Sequence, residues 1–166
     1  MQNLVPIAAV FVAVVAVLAI FAGKLSQPRF SSRALLNRSE RRLFWILVKL
    51  APRGWHVMSQ VSYGEFLSCK SSRKFFSINA KRADFVMCDA SFVPVAVIEY
   101  QGGGHYGNSR RSRTDAQRRD RQKRRALMEA DVPMIEVPPQ FNNDTVGELL
   151  ASVIDSRSDA KQRMKA

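Results

Sequence analysis

Residues Leu4 to Gly23, LVPIAAVFVAVVAVLAIFAG, run for twenty positions without a charge or a hydrogen-bonding side chain. At 1.5 Å per residue a helix of that length rises about 30 Å, the thickness of a bilayer core, so the run predicts a transmembrane helix. Twelve of the twenty are Leu, Val, Ile or Phe, each favouring insertion by roughly 0.3–0.6 kcal/mol. A cleaved signal peptide would need basic residues ahead of the run, and Met1, Gln2 and Asn3 supply none. Lys24, Arg29, Arg33, Arg38, Arg41 and Arg42 all follow it, which predicts an inner-membrane anchor with the rest of the chain in the cytoplasm. The expected organisation is an anchor over 1–23, a basic tether over 24–34, an α/β domain over 35–155 and a basic tail over 156–166.

Charge narrows the partner. Lys and Arg total 26 against 14 Asp and Glu, a formal +12, while 46% of residues are apolar, so the chain should fold and should meet a polyanion. That polyanion is nucleic acid or an anionic membrane face. Cys69 and Cys88 form no CxxC and have no histidine at zinc-finger spacing, which argues against a disulfide scaffold or a structural zinc.

Beyond the tether, Asn37 with Glu40 three residues on is a capping-box pattern, and Leu43, Phe44, Leu47 and Leu50 repeat at helical spacing. A helix over 39–50 is predicted, then a strand over 55–61. The polar segment 62–82 reads as loops with a short strand near 75–78. The β-rich runs 84–88 and 93–100 flank the turn-like Asp89-Ala90-Ser91 and predict an antiparallel hairpin. A helix over 113–130, a strand over 132–137 and a helix over 145–155 capped by Asn143 or Asp144 complete a mixed sheet flanked by helices.

In that hairpin Asp84 opens one strand and Glu99 closes the next, so pairing brings the two carboxylates together. Among apolar Phe85, Val97 and Ile98 such a pair repels itself unless a cation neutralises it, and oxygen ligands suit Mg²⁺ or Mn²⁺. The bland alternative is two strand-end acids salt-bridged to nearby arginines. Gln101 lies two residues beyond Glu99 on the same face.

The stretch ADFVMCDASFVPVAVIEYQGGGHY, followed by RRDRQKRRALMEADVPMIEV, resembles the restriction-endonuclease-like PD-(D/E)XK superfamily with its D-x(n)-E-x-K core. More closely it resembles a bacterial domain family allied to the very-short-patch-repair endonucleases, over about 35–137 and including LLNRSERRLFWIL. The resemblance implies a restriction-endonuclease-like mixed sheet, Asp84 and Glu99 as metal ligands, and Gln101 where a lysine usually stands. A neutral amide can orient water but lacks that lysine's charge.

Lys123 is a candidate substitute, because Ala116, Asp120, Lys123, Leu127 and Ala130 share one helical face and turn Asp120 and Lys123 inward. Glu40 reads two ways, as a reach into the site or as the N3 member of the capping box. His105 reads as a general acid or base or as a solvated loop residue. From Arg110 to Arg125 there are nine Lys or Arg and two Asp, a net +7 carried largely by Arg110, Arg111, Arg113, Arg118, Arg119, Arg121, Arg124 and Arg125. Such density suits phosphate contacts with DNA; a solvated helix face or a lipid-facing patch are the alternatives. The expected function is a membrane-anchored, DNA-binding, Mg²⁺-dependent endonuclease, with a catalytically silent DNA-binding accessory of the same fold as the runner-up.

Overall fold

The computed structural model describes residues 4–25, 30–102 and 110–163, with side chains described over 9–19, 30–102 and 117–156. The chain divides into two compact units, Met1–Ala34 and Leu35–Ala166.

In the first unit Leu4–Leu25 forms helix α1. The expected membrane span is not realised. Among the described residues no helix is long and apolar enough to cross a membrane. The transmembrane element expected ahead of the α/β domain, and the inner-membrane location drawn from it, fall with that finding.

The second unit is a mixed α/β structure. Helix α2 spans Arg38–Leu50, and the sequence signal at its start is realised: Asn37 Oδ1 accepts from Glu40 N at 3.0 Å and Glu40 Oε2 accepts from Asn37 N at 2.8 Å. Strand β1 covers His56–Ser62 and runs into a short helix α3 over Tyr63–Phe66. The short strand expected near 75–78 is instead part of helix α4, Ser72–Ile78. The side chain of Ser71 accepts from Lys74 N and caps it, so a local N-terminal signal overrides the β preference of Phe75 and Phe76.

The predicted hairpin is β2, Arg82–Cys88, paired antiparallel with β3, Pro94–Tyr100. Helix α5, Arg110–Glu129, crosses over to β4, Met134–Val137, which joins β3 in parallel. The strand order is β1-β2-β3-β4. Helix α5 ends in a Schellman motif: Asp131 takes φ +55, Val132 N donates to Leu127 O at 3.0 Å and Asp131 N to Met128 O at 3.3 Å. Helix α6 spans Asn143–Arg163, and its first turn is capped one residue earlier than expected, by Asn142 Oδ1 accepting from Thr145 N at 2.8 Å.

Each sheet face carries its own core. On one, Leu43 and Leu47 of α2 and Val146 and Leu150 of α6 pack with Phe85, Met87, Ile98 and Val137. On the other, Leu127 of α5, Tyr63 and Ile78 pack with Val86 and Val97. Each fully buried Leu or Phe contributes roughly 1.5–3 kcal/mol, and this burial holds β2 and β3 at the centre of the sheet.

Candidate active site

The antiparallel register pairs Phe85 with Ile98 and Val86 with Val97. One further step in that register sets Asp84 opposite Glu99, and alternation along the strands turns both toward the face that α5 covers. Glu99 is buried, the only charged residue so placed among those described, while Asp84 is half-buried. Tyr100 N donates to Asp84 Oδ2 at 2.9 Å and ties one carboxylate to the neighbouring strand.

Lys123, projecting from α5, donates from Nζ to Glu99 Oε1 at 2.8 Å. Tyr63 Oη donates to the same oxygen at 3.2 Å, and the Lys123 ammonium stands 5.6 Å from the centroid of the Tyr63 ring. Burial pushes the Glu99 carboxyl above its ordinary range against the pull of Lys123, and the charge of Asp84 adds to the rise. Burial likewise pushes the Tyr63 phenol up, reinforced by the charges of Glu99, Asp84 and Asp120. Lys123 thus reaches inward from α5, as its helical face predicts, and the charges of Glu99, Asp84 and Asp120 are all felt at Tyr63.

Gln101 goes elsewhere. Its Nε2 donates to Glu136 Oε1 at 2.9 Å, and Arg124 also pairs with Glu136. Glu136 lies beside Glu99 in the parallel register of β3 and β4, so Asp84, Glu99 and Glu136 form a row of acids across three strands. Glu40 does not join them: its carboxylate closes the capping box, and α2 packs on the opposite sheet face. His105 lies outside the described residues.

The cationic surface beside this row is carried by α5. Arg118, Arg119, Arg121, Arg124 and Arg125 are exposed, while the side chains of Arg110, Arg111 and Arg113 in its first turns lie outside the described residues. Lys81 belongs to the same field: partial burial and the charges of Arg119, Arg118 and Lys123 all lower its pKa. Tyr63, Glu136 and Lys81 are not legible as site residues in the sequence. The one available signal is the Lys81-Arg82 pair just ahead of Asp84.

Among the described residues no three His, Cys, Asp or Glu side chains gather to hold a metal. Two carboxylates remain, each with one oxygen engaged: protein donors among the described residues reach Asp84 Oδ2 and Glu99 Oε1. Such a donor set suits a hard, largely hydrated divalent ion that takes one or two protein carboxylates and fills its other positions with water and substrate oxygens.

Residues 32–154 match a family described as "Protein of unknown function (DUF2726)". The chain is similar to an uncharacterized protein of Haemophilus influenzae, 39% identical over 128 residues, covering 74% of this chain and 64% of that one. It is also similar to the uncharacterized protein y4bI of Sinorhizobium fredii, 40% identical over 111 residues, covering 65% of this chain and 76% of that one. The chain thus spans less than two thirds of the length of the Haemophilus relative. No solved structure matches it.

Proposed function

We propose that this chain, which belongs to the DUF2726 family, binds nucleic acid along α5 and hydrolyses its phosphodiester bonds at Asp84 and Glu99 with Mg²⁺ or Mn²⁺. The observation that carries the reading is the antiparallel register that sets Asp84 opposite Glu99 on a covered sheet face, with Lys123 reaching the same carboxylate from α5. The resemblance to the PD-(D/E)XK pattern supports it. DNA is the substrate we favour.

Asp84 and Glu99 would hold the cation by the oxygens that donors among the described residues leave unengaged. A divalent ion held there supplies Lewis-acid stabilisation of phosphoryl charge and lowers the pKa of a bound water. Lys123 provides, from a helix, the fixed positive charge that neutral Gln101 withholds at the strand position; a preorganised cation beside developing negative charge lowers the barrier. The α5 arginines bind the flanking phosphates and set the strand's register on the protein. Incubating the full chain with supercoiled and linear DNA in Mg²⁺, Mn²⁺ or EDTA tests the reading directly. Nicking or linearisation in either metal and none in EDTA is expected; inertness in all three on DNA and RNA would remove the catalytic part.

A second reading is favoured by one observation: Gln101 is engaged by Glu136 and Lys123 by Glu99, so both groups that would orient water already have protein partners. On that reading the chain is a catalytically silent, nucleic-acid-binding accessory. Gln101→Lys separates the two, since it should preserve or raise the rate of a working site and leave a silent one inert.

A further inference from the structure

Tyr63 has no role in the chemistry described above, yet its side chain is fully buried and ends on Glu99. It reaches that position through an unusual strand. In β1, Val57 packs into the core beneath α2, whereas Val61, four residues on, packs with Tyr63 into the core beneath α5. An unbroken strand keeps residues four apart on one face. The paired strand β2 changes core at the same register position, Phe85 lying in the first core and Ala83 in the second; in β1 the change falls at Gln60, whose φ of +56 is a left-handed conformation uncommon for a non-glycine residue.

Gln60 also stands at the site itself. Ser59 pairs with Phe85 and Val61 with Ala83, so Gln60 lies opposite Asp84 in the register. Downstream the backbone is locked: Tyr63 N donates to Lys81 O at 2.8 Å and Gly64 N to Asn79 O at 3.2 Å. Gly64 permits that approach, because a Cβ there would lie 2.9 Å from the Asn79 Cβ. A kink, two hydrogen bonds and a glycine together deliver one phenol to one carboxylate.

Resting on the metal reading of Asp84 and Glu99, we infer that Tyr63 is a positioning residue of the cation site, delivered by the left-handed turn at Gln60. Its hydroxyl and the Lys123 ammonium both donate to Glu99 Oε1. This fixes the rotation of the carboxylate and reserves the second oxygen for the ion, as outer-shell donors do for metal ligands. The ring serves separately, as the surface on which the ammonium rests. Tyr63→Phe therefore removes the positioning hydrogen bond and keeps the packing.

The test is a calorimetric titration of Mn²⁺ into the full chain, alongside thermal melts. Wild type should bind, Asp84→Asn should not, and Tyr63→Phe should bind about ten-fold more weakly, the loss typical of an outer-shell partner. Gln60→Gly, which tolerates positive φ, should bind like wild type. Gln60→Val, which resists it, should bind like Tyr63→Phe and add nothing when the two are combined. If wild type takes up no Mn²⁺, the metal reading itself fails. If wild type binds and a folded Tyr63→Phe binds within two-fold of it, the positioning role is overturned and the metal reading stands. Should Tyr63→Phe fail to melt cooperatively, the glycine and valine variants at Gln60 decide, and equal Mn²⁺ affinity in those two overturns the inference.

Discussion

Lys123 and Glu99 are 24 residues apart in the chain and 2.8 Å apart in the fold, an ion pair whose side chains keep only 15% and 10% of their exposure. The pair fastens α5, the arginine-bearing helix, to the central hairpin. Removing one partner of such a buried pair strands the other charge, at a cost of about 3–5 kcal/mol. Lys123→Met should therefore lower the thermal midpoint markedly, and Lys123→Met with Glu99→Gln should recover much of the loss. Thermal melts of the single and double variants check this; an unchanged midpoint in Lys123→Met would mean that the pair is not formed.

Nucleic-acid binding along α5 has its own signature. If Arg118, Arg119 and Arg121, all exposed, neutralise phosphates, then every arginine removed makes the slope of log K against log salt shallower by about 0.9 on duplex DNA. Replacing the three with alanine should flatten the slope and weaken binding similarly on unrelated sequences. Fluorescence anisotropy at a series of salt concentrations measures both, and an unaltered slope would remove α5 from the interface.

The two cysteines should differ in reactivity. Cys69 is exposed, whereas Cys88 is buried at the end of β2, where burial and the charge of Asp89 push its thiol up. Because the thiolate is the nucleophile, an aromatic disulfide reagent at pH 8 should label one thiol per chain quickly and the second only in denaturant. Two equally fast thiols would contradict the packing of β2.

How far these features are legible in the sequence follows from how local their causes are. The hairpin of β2 and β3, the capping box of Asn37 and Glu40, and the meeting of Asp84 with Glu99 depend on neighbours within a few residues, and the chain spells them out. Helix α4 looks like a strand in sequence because Phe75, Phe76 and Ile78 favour sheet, while the deciding cap comes from the single side chain of Ser71. Tyr63 is invisible as a site residue because its delivery depends on positive φ at Gln60, where no glycine announces a turn. Glu136 escapes notice since its place beside Glu99 exists only in the parallel pairing across α5. Gln101 reads as a water-orienting group, and the same pairing instead supplies it with a carboxylate partner. The twenty-residue apolar run illustrates the reverse, because composition there points to a span that the described helices do not provide.

The central claim is that Asp84 and Glu99 hold the ion that cleaves a strand bound by α5. It is tested most directly by measuring cleavage and binding of one DNA substrate by wild type, Asp84→Asn and Glu99→Gln in Mg²⁺, Mn²⁺ and EDTA. The account predicts metal-dependent cleavage by wild type, its loss in both variants, and binding in EDTA equal to or tighter than wild type, because a carboxylate without its cation repels phosphate. Cleavage that survives Asp84→Asn, or binding that disappears together with cleavage in a folded variant, would contradict it.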